Sequence, residues 1–214
     1  MASDIDICNT ALAHLGDTAS VTSISPPEGS VQAQWCSMFY PLARDALLEM
    51  HAWRFATRRA TLAEVGSDWA QWAYAYAMPA NVVTLLAVIP PTATYDYSEG
   101  SGLPGSVGAY VPQAYSCEGN TDGELVIYSN QADAVLRYVT LVTDSAKFSP
   151  LFALTLSWQL ASMLAGPLLK GDVGAAEEKR CAAMVQAYLA RAAVSDASQR
   201  NIRPQHNVGW IAGR

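Results

Sequence analysis

Apolar residues recur at helical spacing at both ends of this chain and alternate between those ends, and this change of period constrains the fold most. A helix repeats about every 3.6 residues and a strand every two, so no stretch satisfies both. Ile5, Cys8, Leu12 and Leu15 fall at steps of three, four and three. Ser3 and Asp6 ahead of them form an S-x-x-D capping box, and Gly16 tolerates the positive φ of a helix end, which together predict a helix over residues 3–15. Ser25-Pro26-Pro27-Glu28 reads as a second start, with Ser as N-cap and Pro at the first helical position. It predicts a helix over residues 28–50 that buries Val31, Trp35, Phe39, Leu42, Ala46 and Met50 and kinks at Pro41.

From Trp53 to Thr143 the pattern is that of strands. Trp72, Tyr74, Tyr76 and Met78 alternate with alanines, and residues 82–89 read as a buried strand stopped by Pro90-Pro91. Residues 99–108 are glycine-rich and read as a long loop. Leu125 to Tyr128 and Val135 to Val142 suggest a hairpin about the polar segment between them. Helical character returns at Ser149-Pro150. Residues 151–169 are apolar on nearly all sides, which predicts the most buried helix, kinked or ended by Gly166-Pro167. Gly171 and Gly174 bracket a predicted turn. The last helix, residues 174–195, sets Cys181, Met184, Val185, Tyr188, Leu189 and Ala192 on one face and Glu177, Glu178, Lys179, Arg180 and Arg191 on the other.

The expected fold class is therefore α+β, a four-helix bundle with a β-rich domain inserted between helices 2 and 3. Residues 1–52 and 148–197 would form the discontinuous bundle, 53–147 the β-rich domain and 198–214 an extended C-terminal tail. Hydrophobic residues make up 51% of the 214 and charged residues 15%, which gives ample core material and suits a subunit that buries surface against neighbours. The net charge of −6 disfavours a grip on nucleic acid through phosphates. Cys8, Cys36, Cys117 and Cys181 show no C-x-x-C pair, so buried reduced thiols are expected over a disulfide or metal set. The apolar stretches are broken by polar residues, and the first residues lack the basic region of a signal peptide, so no membrane span and a cytoplasm-like compartment are expected.

Residues that carry chemistry are hard to find. His14, His51 and His206 have no partner at a metal-ligand spacing, and His14 sits at a helix C-terminus where positive charge is favourable. The glycines of 100–108 lack the Gly-Lys-Ser/Thr of a phosphate loop, and no G-x-S-x-G elbow occurs. Asp4 with Asp6 and Asp45 with Glu49 fit solvated helix faces. Catalytic, cofactor-binding and metal residues are thus expected to be none. Trp69, Trp72, Tyr74 and Tyr76 lie close to Arg54, Arg58 and Arg59, the densest basic cluster. Core packing explains most such aromatics. The alternative is a protein–protein interface, where Trp, Tyr and Arg concentrate, and a base-stacking platform fits less well without a basic groove. Trp210, Ile211 and Arg214 end a stretch without period, and read as an anchor that docks on a neighbour.

Several stretches taken together resemble the tail tubular protein A family of podovirus head-to-tail connectors. They are Ile5-Asp6-Ile7-Cys8-Asn9-Thr10-Ala11-Leu12-Ala13-His14-Leu15-Gly16, Phe39-Tyr40-Pro41-Leu42-Ala43-Arg44-Asp45-Ala46-Leu47-Leu48 and His51-Ala52-Trp53-Arg54-Phe55-Ala56-Thr57-Arg58-Arg59-Ala60. Trp72-Ala73-Tyr74-Ala75-Tyr76-Ala77-Met78-Pro79-Ala80, and Val142-Thr143-Asp144 with Phe148 to Phe152, extend the likeness over most of residues 4–195. It fades over residues 92–123. The resemblance implies a structural virion protein without enzymatic activity or cofactor, assembled in the host cytoplasm. It implies a homo-oligomeric ring, dodecameric in the family, that bridges the portal protein to a tail nozzle of the tail tubular protein B type. Genomic DNA would pass non-specifically through the bore, with Glu118, Asp122 and Glu124 as candidate lining. Two other readings stand beside it: a head-completion protein that seals the portal, and a tail-associated cell-wall-degrading hydrolase, which would need two facing carboxylates.

Overall fold

The first described helix starts where its capping box predicts. Ser3 Oγ accepts from the Asp6 N–H while the Asp6 carboxylate accepts from the Ser3 N–H, and α1 spans Asp4–His14 with Gly16 at φ 76° just past its end. A computed structural model describes residues 2–18, 20–93 and 113–199. The chain splits into two compact units, one from the described residues of Met1–Ala56 and Leu141–Arg200, the other from those of Thr57–Thr140.

The first unit is helical. α2 spans Val31–Met50, α3 spans Pro150–Leu169 and α4 spans Gly171–Ser198, with a short 3-10 turn at Ser145–Lys147 ahead of α3. Ser149 caps α3 by accepting from the Phe152 N–H, with Pro150 at the first helical position. α3 is the hub: α1, α2 and α4 each pack on it, with no comparable packing among those three. Phe152, Leu156, Leu160 and Leu164 are fully buried along it, each contributing roughly 1.5–3 kcal/mol. By length and composition α3 could cross a bilayer, but its central place in this unit accounts for its apolar residues. Trp53, 0% exposed, closes the unit by donating its indole N–H to Leu47 O at 2.7 Å and meeting Phe152 edge to face.

The second unit holds seven described strands in two antiparallel sheets. β1 (Thr57–Thr61), β7 (Val135–Thr140) and β4 (Val82–Ile89) form one, in the order β1-β7-β4. β2 (Glu64–Val65), β3 (Tyr74–Ala77), β6 (Leu125–Ser129) and β5 (Tyr115–Gly119) form the other, in the order β2-β3-β6-β5. Val88 and Leu136 of the first sheet share a buried cluster with Tyr76 and Ile127 of the second, so the sheets bury their apolar faces on each other.

Several expectations are corrected. The helices are not a four-helix bundle with an inserted β domain, because three helices gather on one and the strands make two separate antiparallel sheets, an α+β mix. β6 and β7 do not form a hairpin: β6 pairs with β3 and β5, and β7 with β1 and β4. The true cap of α2 is Ser30, whose Oγ accepts from the Ala33 N–H. Glu28 is taken up instead by Thr22 and Ser30, and the Ser25–Pro26 peptide is cis. α2 runs on through Pro41, and α3 through Gly166-Pro167 to Leu169. The break falls at Lys170, at φ 56°, and Gly174 lies inside α4, where a Cβ would meet Ala165 O at 3.0 Å. The glycine-rich residues 99–108, and the tail beyond Gln199, lie outside the described residues.

Candidate functional site

α2 carries two apolar faces of different character. Ala33, Cys36, Tyr40, Ala43 and Leu47 recur at steps of three and four and are buried. Ala33, Cys36 and Ala43 among them are small, and α2 packs on α3. The face expected in the core, Val31, Trp35, Phe39, Leu42, Ala46 and Met50, is not there. Val31 is 58% exposed, Met38 57%, Leu42 56% and Met50 53%. Trp35 and Phe39 are half-buried and stack on each other with centroids 5.6 Å apart. The result is a stripe of large apolar side chains along the whole helix, of the kind that marks a partner-binding surface.

A second exposed line runs along α4. Ala183, Ala187, Ala190, Val194 and Ala197 follow at steps of four and three, all exposed, and Ala176 and Val173 continue the line toward the start of the helix. This is heptad spacing filled with small residues. The buried side of α4, Cys181, Val185 and Ala192, faces the other way.

The residues singled out from sequence fall into different roles. Arg54 is engaged within its own unit: its N–H points to the Asp196 carboxylate at 3.2 and 3.3 Å, and its Nε donates to Asp196 O at 2.6 Å. Asp196 is 7% exposed, also faces His51 at 3.5 Å, and ties the exit of α2 to the end of α4. It was not legible in sequence, being 142 residues from Arg54. Arg58 and Arg59 are exposed on the edge strand β1, where cations discourage edge-to-edge pairing. Trp69 is 47% exposed. Trp72 packs against Ala75, Val126 and Tyr128, and Tyr74 is half-buried. Tyr76 is a core residue at 1% exposure, donating its hydroxyl to Gln131 O at 2.5 Å, so it offers a partner no surface. Trp210, Ile211 and Arg214 lie outside the described residues.

Of the acidic candidates, Glu118 is exposed on β5, where Ser116 Oγ donates to it. Asp122 and Glu124 lie in the β5–β6 turn, held by Asn120 Oδ1, which accepts from both of their N–H groups. With Asp68 they line a cleft of about 650 Å³ that also takes in Met78 and Val126.

Cys8, Cys36 and Cys181 are buried free thiols and Cys117 is half-buried. Cys8 and Cys36 meet, and the hydrogen bond between them, with burial, pushes the Cys8 thiol far up. No group of three or more His, Cys, Asp or Glu is placed to hold a metal among the described residues. Neither a family model nor a curated protein matches the chain.

Proposed function

We propose that this chain is a structural subunit of a podovirus head-to-tail connector ring, bridging portal and tail nozzle around the DNA channel. The observation that carries the reading is the α2 stripe, where four large apolar residues stand more than half exposed on one helix. A chain with 15% charged residues that leaves such a stripe uncovered is built to be covered by protein. The succession Tyr40-Pro41, Arg44-Asp45 and Trp53-Arg54-Phe55-Ala56 adds the resemblance to tail tubular protein A.

The partners in this reading are further copies of the chain, the portal protein and a nozzle protein, with genomic DNA sliding through the bore. An acidic chain suits sliding, because each phosphate held adds affinity and drag. Negative-stain imaging of the protein mixed with podovirus portal rings tests it. The expected result is a second ring stacked coaxially on the portal. Portal rings that stay bare at saturating protein overturn the reading, and tight duplex binding by the assembled ring at physiological salt removes the sliding bore.

A further inference from the structure

We infer that the apolar stripe of α2 docks on the α4 face of a second copy of this chain, in a head-to-tail contact that repeats from copy to copy. This names the partner of the stripe on which the connector reading relies.

The two lines belong to the same helical unit, and both are exposed. They complement each other in size. Met38 and Leu42 are large and exposed on α2, with the half-buried Trp35 beside them, whereas Ala183, Ala187 and Ala190 leave hollows along α4. Knobs set into such hollows let two helices approach closely, while two α2 stripes set face to face would hold each other apart.

The spacing matches as well. Glu49, Leu42 and Trp35 are spaced by seven residues, as are Arg180, Ala187 and Val194. An antiparallel pairing that levels Glu49 with Arg180 therefore levels Leu42 with Ala187 and Trp35 with Val194. The charges point the same way. The charge that α2 offers to solvent is acidic and confined to its C-terminal half, the exposed Glu49 and the half-buried Asp45. Lys179 and Arg180 are exposed beside the Ala176–Ala183 line in the N-terminal half of α4, opposite that end in the antiparallel register, whereas Glu177 and Glu178 stand about a third of a turn or more away from the line and Asp172 falls beyond the end of α2. Arg180 already holds Glu177 at 2.7 Å and Asp45 holds Arg44 at 2.8 Å, so these charges set direction more than affinity. A contact between unlike patches repeats until it closes a ring or runs on as a filament.

The test uses the full chain and two exposed positions, Leu42→Glu and Ala187→Glu, with circular dichroism to verify that each variant stays folded. By sedimentation, the wild type is expected to form species larger than a dimer. Each variant is expected to self-associate on the order of tenfold more weakly, or worse, as for a charge placed at the centre of an interface. Mixing the two variants is the decisive arm. L42E keeps an intact α4 face and A187E an intact α2 stripe, so the mixture is expected to stop at a one-to-one heterodimer. Assembly of A187E equal to wild type, failure of the mixture to pair, or a wild type that stays monomeric at its highest soluble concentration overturns the proposal. The connector reading fails separately. Rings lost in both variants, with wild-type rings that never attach to portal, keep this contact and discard the connector. Attachment to portal that both variants retain as intact rings does the reverse.

Discussion

α2 and α3 are each 20 residues long, each contains an internal proline, and the two pack on each other, yet they treat apolar surface in opposite ways. α3 is surrounded: α1, α2 and α4 leave its large residues Phe152, Leu156, Leu160 and Leu164 without exposure. α2 buries Tyr40, Leu47 and Leu48 beside its small residues, yet leaves Val31, Met38, Leu42 and Met50 more than half exposed. The difference shows that an apolar period locates a stripe on a helix without fixing which of its faces the fold buries. Hydrophobic burial is non-directional, and a subunit interface uses the same residues as a core.

Equal truncations on the two helices break this comparison if it is wrong. Leu156→Ala removes a fully buried side chain and is expected to destabilise the protein by about 2–5 kcal/mol, measured by denaturant unfolding of the unassembled chain. Leu42→Ala, at 56% exposure, is expected to shift the same measurement by only about 0.5 kcal/mol. Similar losses at the two sites in a monomer would mean that Leu42 is packed within the subunit after all.

The α3–α4 junction gives a smaller effect. Gly174 has Ala165 O at 3.0 Å from the place of a Cβ and Gly166 Cα at 3.5 Å, and both are backbone atoms that cannot swing aside. Gly174→Ala is expected to cost roughly 1–3 kcal/mol by overpacking. Gly166 has open space at the same place within α3, and Gly166→Ala is expected to stabilise by about 0.5–1 kcal/mol through a less flexible unfolded chain and better helix propensity. Thermal melts of the two variants should move in opposite directions. A shared direction would show that the helices are not held at this close approach.

What sequence could reveal here follows range. The Ser3–Asp6 box, the Ser149-Pro150 cap and the strand over residues 82–89 are local patterns, and each has its counterpart in the structure. Ser25 imitates the cap of α2 because Pro-Pro-Glu follows it, but Glu28 turns back to Thr22 and Ser30 caps the helix. On α2 the period was legible and the face was not, since Ala33, Cys36 and Ala43 look too small to be the core side until α3 is placed against them. β6 and β7 are adjacent strands in sequence, and only the pairing of each with distant strands shows that they belong to different sheets. Asp196 and Tyr76 illustrate the same limit for the site, because burial and partners far along the chain decided their roles.

The smallest expected effect lies where α1 meets α3, and its sign is opposite to the one that helix position alone predicts. His14 ends α1, where the helix dipole favours a positive charge. In the fold its ring stacks on Trp158 of α3 at 3.5 Å and 5°, with Nε2 3.1 Å from Ser157 Oγ. Arg180 of α4 donates to His14 O at 2.8 Å and lies over the Trp158 ring at 5.5 Å. Burial first, and the Arg180 charge second, hold the imidazole below its ordinary value of 6.5. Desolvation and a neighbouring cation outweigh the dipole because both act directly on the ring. The sign of the pH dependence follows. Above pH 6.5 both folded and unfolded chains carry the neutral ring, and its contribution to stability is complete. As pH falls through 6.5 the unfolded chain takes up its proton first, so stability declines until the folded ring also titrates. Melting temperatures measured between about pH 7.5 and about pH 5 should therefore fall more steeply for wild type than for His14→Gln. Arg180→Gln should lie between them, because it removes the second cause and leaves burial in place. Parallel profiles for wild type and His14→Gln would mean that the ring is solvated and that α1 is not seated on Trp158.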